Sequence, residues 1–306
     1  MSAVRKASSL ISWKSTGRLQ NTLSGCVERT GVTLHSGRTT KVRLCPHVAG
    51  EGRCFALRCS LIPASIDYVE ESPLCTTLSK DGMRVRTVEH LLSALEAYGV
   101  DNCRIEVEDV EGGDVRDFEV PILDGSAKEW VEAIEEVGLE HARDDCGYSH
   151  EAMAPYLCEP VHVLRNDSSL LAFPSPCLHV NCGINFSQAA SIGCQWFSSS
   201  NLDYSFYKTQ IAPARTFCIF EEVEKMRELG LIKGGSLENA LVCSAKEGWL
   251  NPPLHFDDEP ARHKALDLIG DLSLLARSGS QGLPVAHLVA YKSGHSLHTQ
   301  FLRSLL

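Results

Sequence analysis

Three polar side chains, His263, Asp267 and Asp271, recur at four-residue steps in the stretch EPARHKALDLIGDL (259–272). On a helix they fall within one arc about 80° wide, while Ala265, Leu268, Ile269 and Leu272 gather on the opposite side. Side chains at i and i+4 stand about 5 to 6 Å apart at Cβ, so His263 and Asp267 can grip one metal ion. Taken alone, such a pair is more often a solvated surface pair. A second stretch, RTVEHLLSALEAYG (86–99), changes the balance. Val88, Leu91, Leu92 and Leu95 make a helical apolar face, with Glu89 and His90 in the first turn. The plain reading of that turn is an acid favoured by the helix dipole and a core-edge histidine. Together the two stretches offer His90, His263 and Asp267, a three-ligand set with a fourth tetrahedral position open, as catalytic zinc requires. Glu89 then stands where a base beside a metal-bound water is needed. Lys264 offers a cation for an oxyanion, and a histidine such as His295 can serve as a general acid when a carboxylate keeps it protonated.

Those residues need elements to hold them. The spacing predicts helices over 88–98, 221–229 and 261–277, another from Ser126 and a last one from about His298. Ser126 with Glu129 reads as a capping box, ahead of Trp130, Ile134 and Val137. Strands are predicted around 30–46, 102–110 and 160–186, and at 285–294, which leaves His295 in a Gly-flanked turn. The polar, aperiodic stretch 138–154 reads as a linker. The implied organisation is a first α+β domain over 28–143 carrying Glu89 and His90, a linker over 144–154, and a second α+β domain over 155–306 carrying His263, Asp267 and His295. Each half places a chemically loaded helix ahead of a strand, so the expected fold is α+β, two similar two-layer sandwiches packed face to face.

Composition narrows the partners. The chain has 306 residues, a net charge of −10 and 43% hydrophobic residues, with a pI near 5.6. This acidic balance argues against general nucleic-acid binding and for a small-molecule ligand. No apolar run reaches the roughly 18 to 20 residues that span a bilayer. The 13 cysteines show no CxxC pairs and read as mostly buried free thiols in a reducing compartment. Residues 1–27 contain Arg5, Lys6, Lys14 and Arg18, many serines and no acid. That is a transit-peptide composition, and Leu10, Ile11 and Trp13 against the basic residues suggest an amphipathic helix with a mitochondrial address, ahead of a plastid or cytoplasmic one.

Seven motifs in order, TGVTLHSG (30–37), TVEHLLSAL (87–95), VPILDGSA (120–127), ARTF (214–217), GGSLENALV (234–242), RHKALDLIGDL (262–272) and YKSGHSL (291–297), make the chain resemble the zinc-dependent UDP-3-O-acyl-N-acetylglucosamine deacetylases of lipid A synthesis. The resemblance runs from about residue 23 to the C-terminus. It implies zinc, with iron(II) as the alternative, on His90, His263 and Asp267. It makes Glu89 the general base, Lys264 and Thr216 the oxyanion partners, and His295, oriented by Asp271, the acid. It also implies a site at the domain junction, an acyl passage shaped by a segment over 216–243, and substrate contacts at Leu34, His35, Phe217, Val223 and Ile232, in a monomer. Thr33, Cys218 and Pro260 depart from the family pattern, and no basic residue near 165–170 matches the family's diphosphate contact. Two rivals stand beside this reading: another metal amidohydrolase acting on a different N-acylated sugar nucleotide, and a catalytically silent binding homologue.

Overall fold

The computed structural model describes residues 10–306 except 59, 73, 113–115 and 200. Its helices are α1 (Glu89–Ala97), α2 (Lys128–Val137), the single turn α3 (Tyr204–Phe206), α4 (Phe220–Glu228), α5 (Glu259–Leu272) and α6 (His295–Leu305). Two five-stranded sheets carry the fold. The first runs Val27–Val32, Thr39–Pro46, Cys103–Asp109, Arg53–Leu57, Ser60–Pro63, and the second runs Val161–Arg165, Ser168–Pro174, Ala286–Tyr291, His179–Phe186, Gly193–Ser198.

Both sheets are built alike. Two hairpins flank a central strand that comes last in the chain, antiparallel to the first hairpin and parallel to the second. In each unit a helix precedes the central strand (α1, α5) and another follows it (α2, α6). The expectation of two similar α+β units therefore has a topological counterpart. Alternation explains which face goes inward: Cys103, Ile105 and Val107 in one central strand, and Ala286, Leu288 and Ala290 in the other, are buried. One continuous apolar core runs through both units.

The two loaded helices, α1 and α5, pack on each other. Their approach is close enough that a Cβ at Gly270 would lie 2.1 Å from the Glu89 carbonyl oxygen. Nearly all of α1 is buried, including Glu96, whose carboxylate pairs with Arg53 at 2.6 Å and accepts from the backbone N–H groups of Gly282 and Leu283. The ion pair lies within the first unit and fixes the Glu96 carboxylate, whose bonds to Gly282 and Leu283 cross to the second. At the start of α5, Pro260 occupies the first turn, where its missing N–H costs nothing.

Several expectations are corrected. Leu10, Ile11 and Trp13 belong to no helix: Ile11–Leu19 is a strand paired antiparallel with Glu151–Leu157, and Ile11 is buried. Asn21–Leu23 pairs with Leu139–His141. Residues 10–27 and much of the expected linker are thus tied into the fold, while residues 1–9 lie outside the described residues. The apolar spacing that suggested a helix there is equally compatible with a strand whose faces meet different neighbours. Helix α2 starts at Lys128 with no side-chain cap. Ser126 instead accepts from the Lys128 N–H while itself held by Asp124, closing the turn before the helix. His295 is the first residue of α6, so that helix starts three residues earlier than periodicity suggested.

Gly270→Ala is expected to destabilise the protein by about 1 to 3 kcal/mol, since the new methyl meets backbone that cannot rotate away. Unchanged urea melting in that variant would show that the α1–α5 distance is not set at this contact.

Candidate active site

Glu89 and His90 enter the site because α1 begins abruptly. Thr87, two residues before its first residue, has φ +59, an unusual conformation for a β-branched residue. Its hydroxyl donates to Glu119 Oε1 at 3.3 Å, and the buried Glu119 carboxylate also accepts from the His35 and Ser36 N–H groups at 2.7 and 3.0 Å. One carboxylate therefore fixes both the start of α1 and the 33–37 turn.

From α5, His263 and Asp267 face His90. The three offer donor atoms all within 4.8 Å of one another, with Asp267 Oδ1 at 3.6 Å from His90 Nε2 and 3.4 Å from His263 Nε2. His263 Nδ1 donates to the Ala214 carbonyl at 2.9 Å, which leaves the Nε2 lone pair turned to the centre. Burial pushes the His263 imidazole down to about 3, more than Asp267 raises it, so the ring is neutral and able to ligate. Burial opposes ionisation of Asp267, but Lys264, at 2.8 Å from Oδ2, and His263 hold it well below the usual carboxylate range. Two imidazoles and a carboxylate converging in a buried pocket fit a divalent transition metal such as zinc.

Glu89 lies at the edge of this set. Its Oε2 accepts from the Thr76 N–H at 3.0 Å, and its Oε1 is 3.8 Å from His295 Nε2. Burial lifts its pKa to about 7 against the pull of His295. His295 Nδ1 is 2.7 Å from Asp271 Oδ2. Burial works against the imidazolium, but Asp271 and then Glu89 outweigh it and raise the pKa to about 10. A base near neutrality and an acid protonated well above it face each other across one cavity, as acid–base pairs in catalytic sites do.

That cavity measures about 600 Å³, and Leu34, His35, Glu89, His90, Phe186, Thr216, Phe217, Cys218, Val223, Met226, Ile232, Leu237, His263, Lys264, Asp267 and His295 are among its lining residues. The catalytic groups share its wall with side chains that are mostly apolar. The wall is assembled by backbone docking. Lys233 and Gly234 donate to the carbonyls of His35 and Leu34 at 3.2 and 3.0 Å, and a Cβ on Gly234 would meet the Thr33 carbonyl oxygen at 2.0 Å. Thr216 is fixed similarly: its N–H donates to Gly125 O and its carbonyl accepts from Leu241 N–H, both at 2.7 Å, while Gly125, at φ +87, leaves no room for a side chain beside Asn239.

All thirteen residues singled out from the sequence lie in or against this cavity except Asp271, which stands behind His295. Of the LGLI stretch (229–232), Ile232 lines it, whereas Leu229 and Leu231 are exposed. Of the departures, Cys218 faces the cavity, while the Thr33 hydroxyl pairs with Ser36 and the Arg38 N–H to shape the 33–38 turn. Thr76, Glu119, Phe186 and His298 went unnoticed in the sequence. Only the folded chain brings Thr76 and His298 to Asp271, at 195 and 27 residues' separation.

A family model described as UDP-3-O-acyl N-acetylglycosamine deacetylase matches residues 20–306. The chain belongs to that family. Five Arabidopsis thaliana relatives named "Probable UDP-3-O-acyl-N-acetylglucosamine deacetylase" 1 to 5, "mitochondrial", are each 58% identical over 299 residues, 98% of this chain and 91% of theirs. The UDP-3-O-acyl-N-acetylglucosamine deacetylase of Trichormus variabilis is 46% identical over 296 residues, 94% of this chain and 98% of its own, and that of Thermosynechococcus vestitus 45% over 293, covering 94% and 93%. The likeness thus spans both α+β units and every segment that builds the deacetylase site.

The electrostatics of His295 are directly checkable. Asp271→Asn removes the strongest charge holding its proton, so its NMR titration should move down from about 10 by about 1 to 3 units. An unmoved titration would deny Asp271 that role.

Proposed function

We propose that this site hydrolyses the N-acetyl group of a UDP-3-O-acyl-N-acetylglucosamine, giving acetate and the free glucosamine amine, as an early step of lipid A-type synthesis. The observation that carries the reading is the opposed pair Glu89 and His295 beside the His90, His263 and Asp267 set, in the wall of a largely apolar cavity.

A zinc ion on those three residues, or iron(II) in its place, would supply a Lewis acid for the acetamide carbonyl and bring a water's pKa to about 7. The chain's own groups do the rest. Glu89, held by the Thr76 N–H, takes a proton from the attacking water. Charge developing on the carbonyl oxygen meets the Lys264 ammonium and the Thr216 hydroxyl, both on the cavity wall. Burial opposes the Lys264 charge, but Asp267 holds it ionised. His295, kept protonated by Asp271, gives its proton to the departing glucosamine nitrogen.

Leu34, His35, Phe217, Val223 and Ile232 suit an acyl chain and the groups next to it, which favours an acylated substrate over a bare N-acetyl sugar nucleotide. Lys292, the cation beside the 166–167 turn, is already ion-paired with Asp167, so no diphosphate contact is assigned there. The mitochondrial destination in the names of the Arabidopsis relatives is extended to this chain as part of the same proposal. Any presequence removed on import then ends before Ile11, because Ile11–Leu19 is paired within the fold.

Glu89→Gln should retain the metal and lose about 10² to 10⁴ in turnover of acylated substrate, measured as acetate release with metal content determined alongside. Stripping the metal from the native protein should abolish release, and zinc should restore it. A Glu89→Gln protein that turns over normally would remove Glu89 from the base role. Equal activity on UDP-N-acetylglucosamine with and without the acyl chain would favour the alternative amidohydrolase.

A further inference from the structure

One buried titratable side chain beside the site has no part in the reaction above. His298 lies three residues after His295 on α6 and is fully buried. Its Nδ1 is 2.6 Å from Asp271 Oδ2, the same oxygen that accepts from His295 Nδ1 at 2.7 Å, and its Nε2 is 2.9 Å from the Ser293 hydroxyl. A carboxylate only accepts, so His298 Nδ1 carries a proton, and Nε2 bonds the Ser293 hydroxyl. The other carboxylate oxygen, Oδ1, accepts from the Thr76 hydroxyl. Asp271, His295 and His298 also satisfy the spacing of a metal trio. The Nδ1 atoms of both rings and both oxygens of Asp271 are already hydrogen-bonded, so the facing atoms form a finished network rather than a set of free lone pairs.

Resting on the deacetylase reading, we propose that His298 is a positioning residue: pinned by Ser293, it locks the Asp271 carboxylate in the orientation that aims His295 at the leaving nitrogen, and it shares the carboxylate charge with His295. Two effects follow from the shared oxygen. A buried carboxylate held at Oδ1 by Thr76 and at Oδ2 by two rings cannot rotate, so His295 inherits a fixed direction. A carboxylate divided between two N–H donors also grips each proton less tightly than one serving a single donor, which keeps His295 acidic enough to give its proton up. The other ionisable groups facing this network are Lys264 and Asp267 from α5, Glu89 from α1, and Glu70, Glu71 and Cys75 from the segment carrying Thr76. Their charges act on His295 from other directions, and they leave the orientation of Asp271 to His298 and Thr76.

The test uses the full-length, metal-loaded protein with His298→Leu, which removes the donor, and His298→Asn, whose amide N–H replaces it. The leucine variant should lose about tenfold to a hundredfold in kcat, the scale of one hydrogen bond to a charged group, with KM within about twofold. Its His295 NMR titration should move upward. The asparagine variant should recover kcat to within about threefold of wild type and return the titration, since it restores the bond. A folded leucine variant with wild-type kcat and titration overturns the proposal. So does an asparagine variant that falls as far as leucine while the His295 titration stays in place, since that pattern reports packing alone. If His298→Leu fails to fold, Ser293→Ala frees the outer nitrogen of the ring and should move the titration the same way by less; no movement overturns the proposal. Should the wild-type protein release no acetate while the titration still responds to leucine and recovers with asparagine, the deacetylase reading fails and the positioning role stands.

Discussion

The contact between Gly270 and the Glu89 carbonyl fixes how near two helices from different α+β units can come, and everything chemical in the molecule depends on that distance. His90 belongs to the first unit, and His263 and Asp267 to the second. Donor atoms within 4.8 Å of one another exist only because the α1 and α5 backbones touch without an intervening side chain. Glycine has no local conformational duty at this position in mid-helix and costs about 1 kcal/mol of helix propensity there. Its value lies wholly in the approach it permits. The Glu96 bonds to Gly282 and Leu283, with the carboxylate held in place by Arg53, brace the same junction from the far end of α1.

Burying that many ionisable groups in one place demands compensation, and the structure supplies it in two local circuits. Asp267 is balanced by Lys264 one turn away on the same helix. Asp271 is balanced by His295 and also bonded to His298 and Thr76. Glu89 is left with one backbone donor and a histidine at 3.8 Å, so its pKa drifts up to about 7 where those of the other two acids fall. The same physics, desolvation against nearby charge, thus sorts three carboxylates into a ligand, an anchor and a base.

Much of the catalytic set was legible because helices impose period: His263, Asp267 and Asp271 lie on one row, and Glu89 and His90 stand in a first turn. The residues that orient them were not legible, for a physical reason. Glu119 acts through backbone N–H groups of a turn more than 80 residues away, and Thr76 through one backbone and one hydroxyl bond. Neither carries a pattern, since one hydrogen bond across a fold leaves no local periodicity. His298 sat in plain view as an ordinary helical histidine. The N-terminal strand was misread because a short amphipathic run, judged without its partner Glu151–Leu157, fits helix and strand alike.

The repeated topology gives this arrangement a further logic. In both units the helix ahead of the central strand is the one that faces its counterpart, so α1 and α5 are equivalent elements meeting across the junction. The two copies have nevertheless divided the labour. The α1 copy offers a ligand and a base in its first turn, where nearby N–H groups favour a carboxylate. The α5 copy offers two ligands, a cation and an anchor along its length. A cation bound between them would touch both units at once, so its affinity and the stability of the junction would be linked, each raising the other. The same positive charge would draw down the pKa of adjacent Glu89 from about 7, leaving it a carboxylate at neutral pH. Loading the site would thus leave more of the base ready to accept a proton. Loading, junction packing and readiness of the base are then one coupled property of the α1–α5 contact.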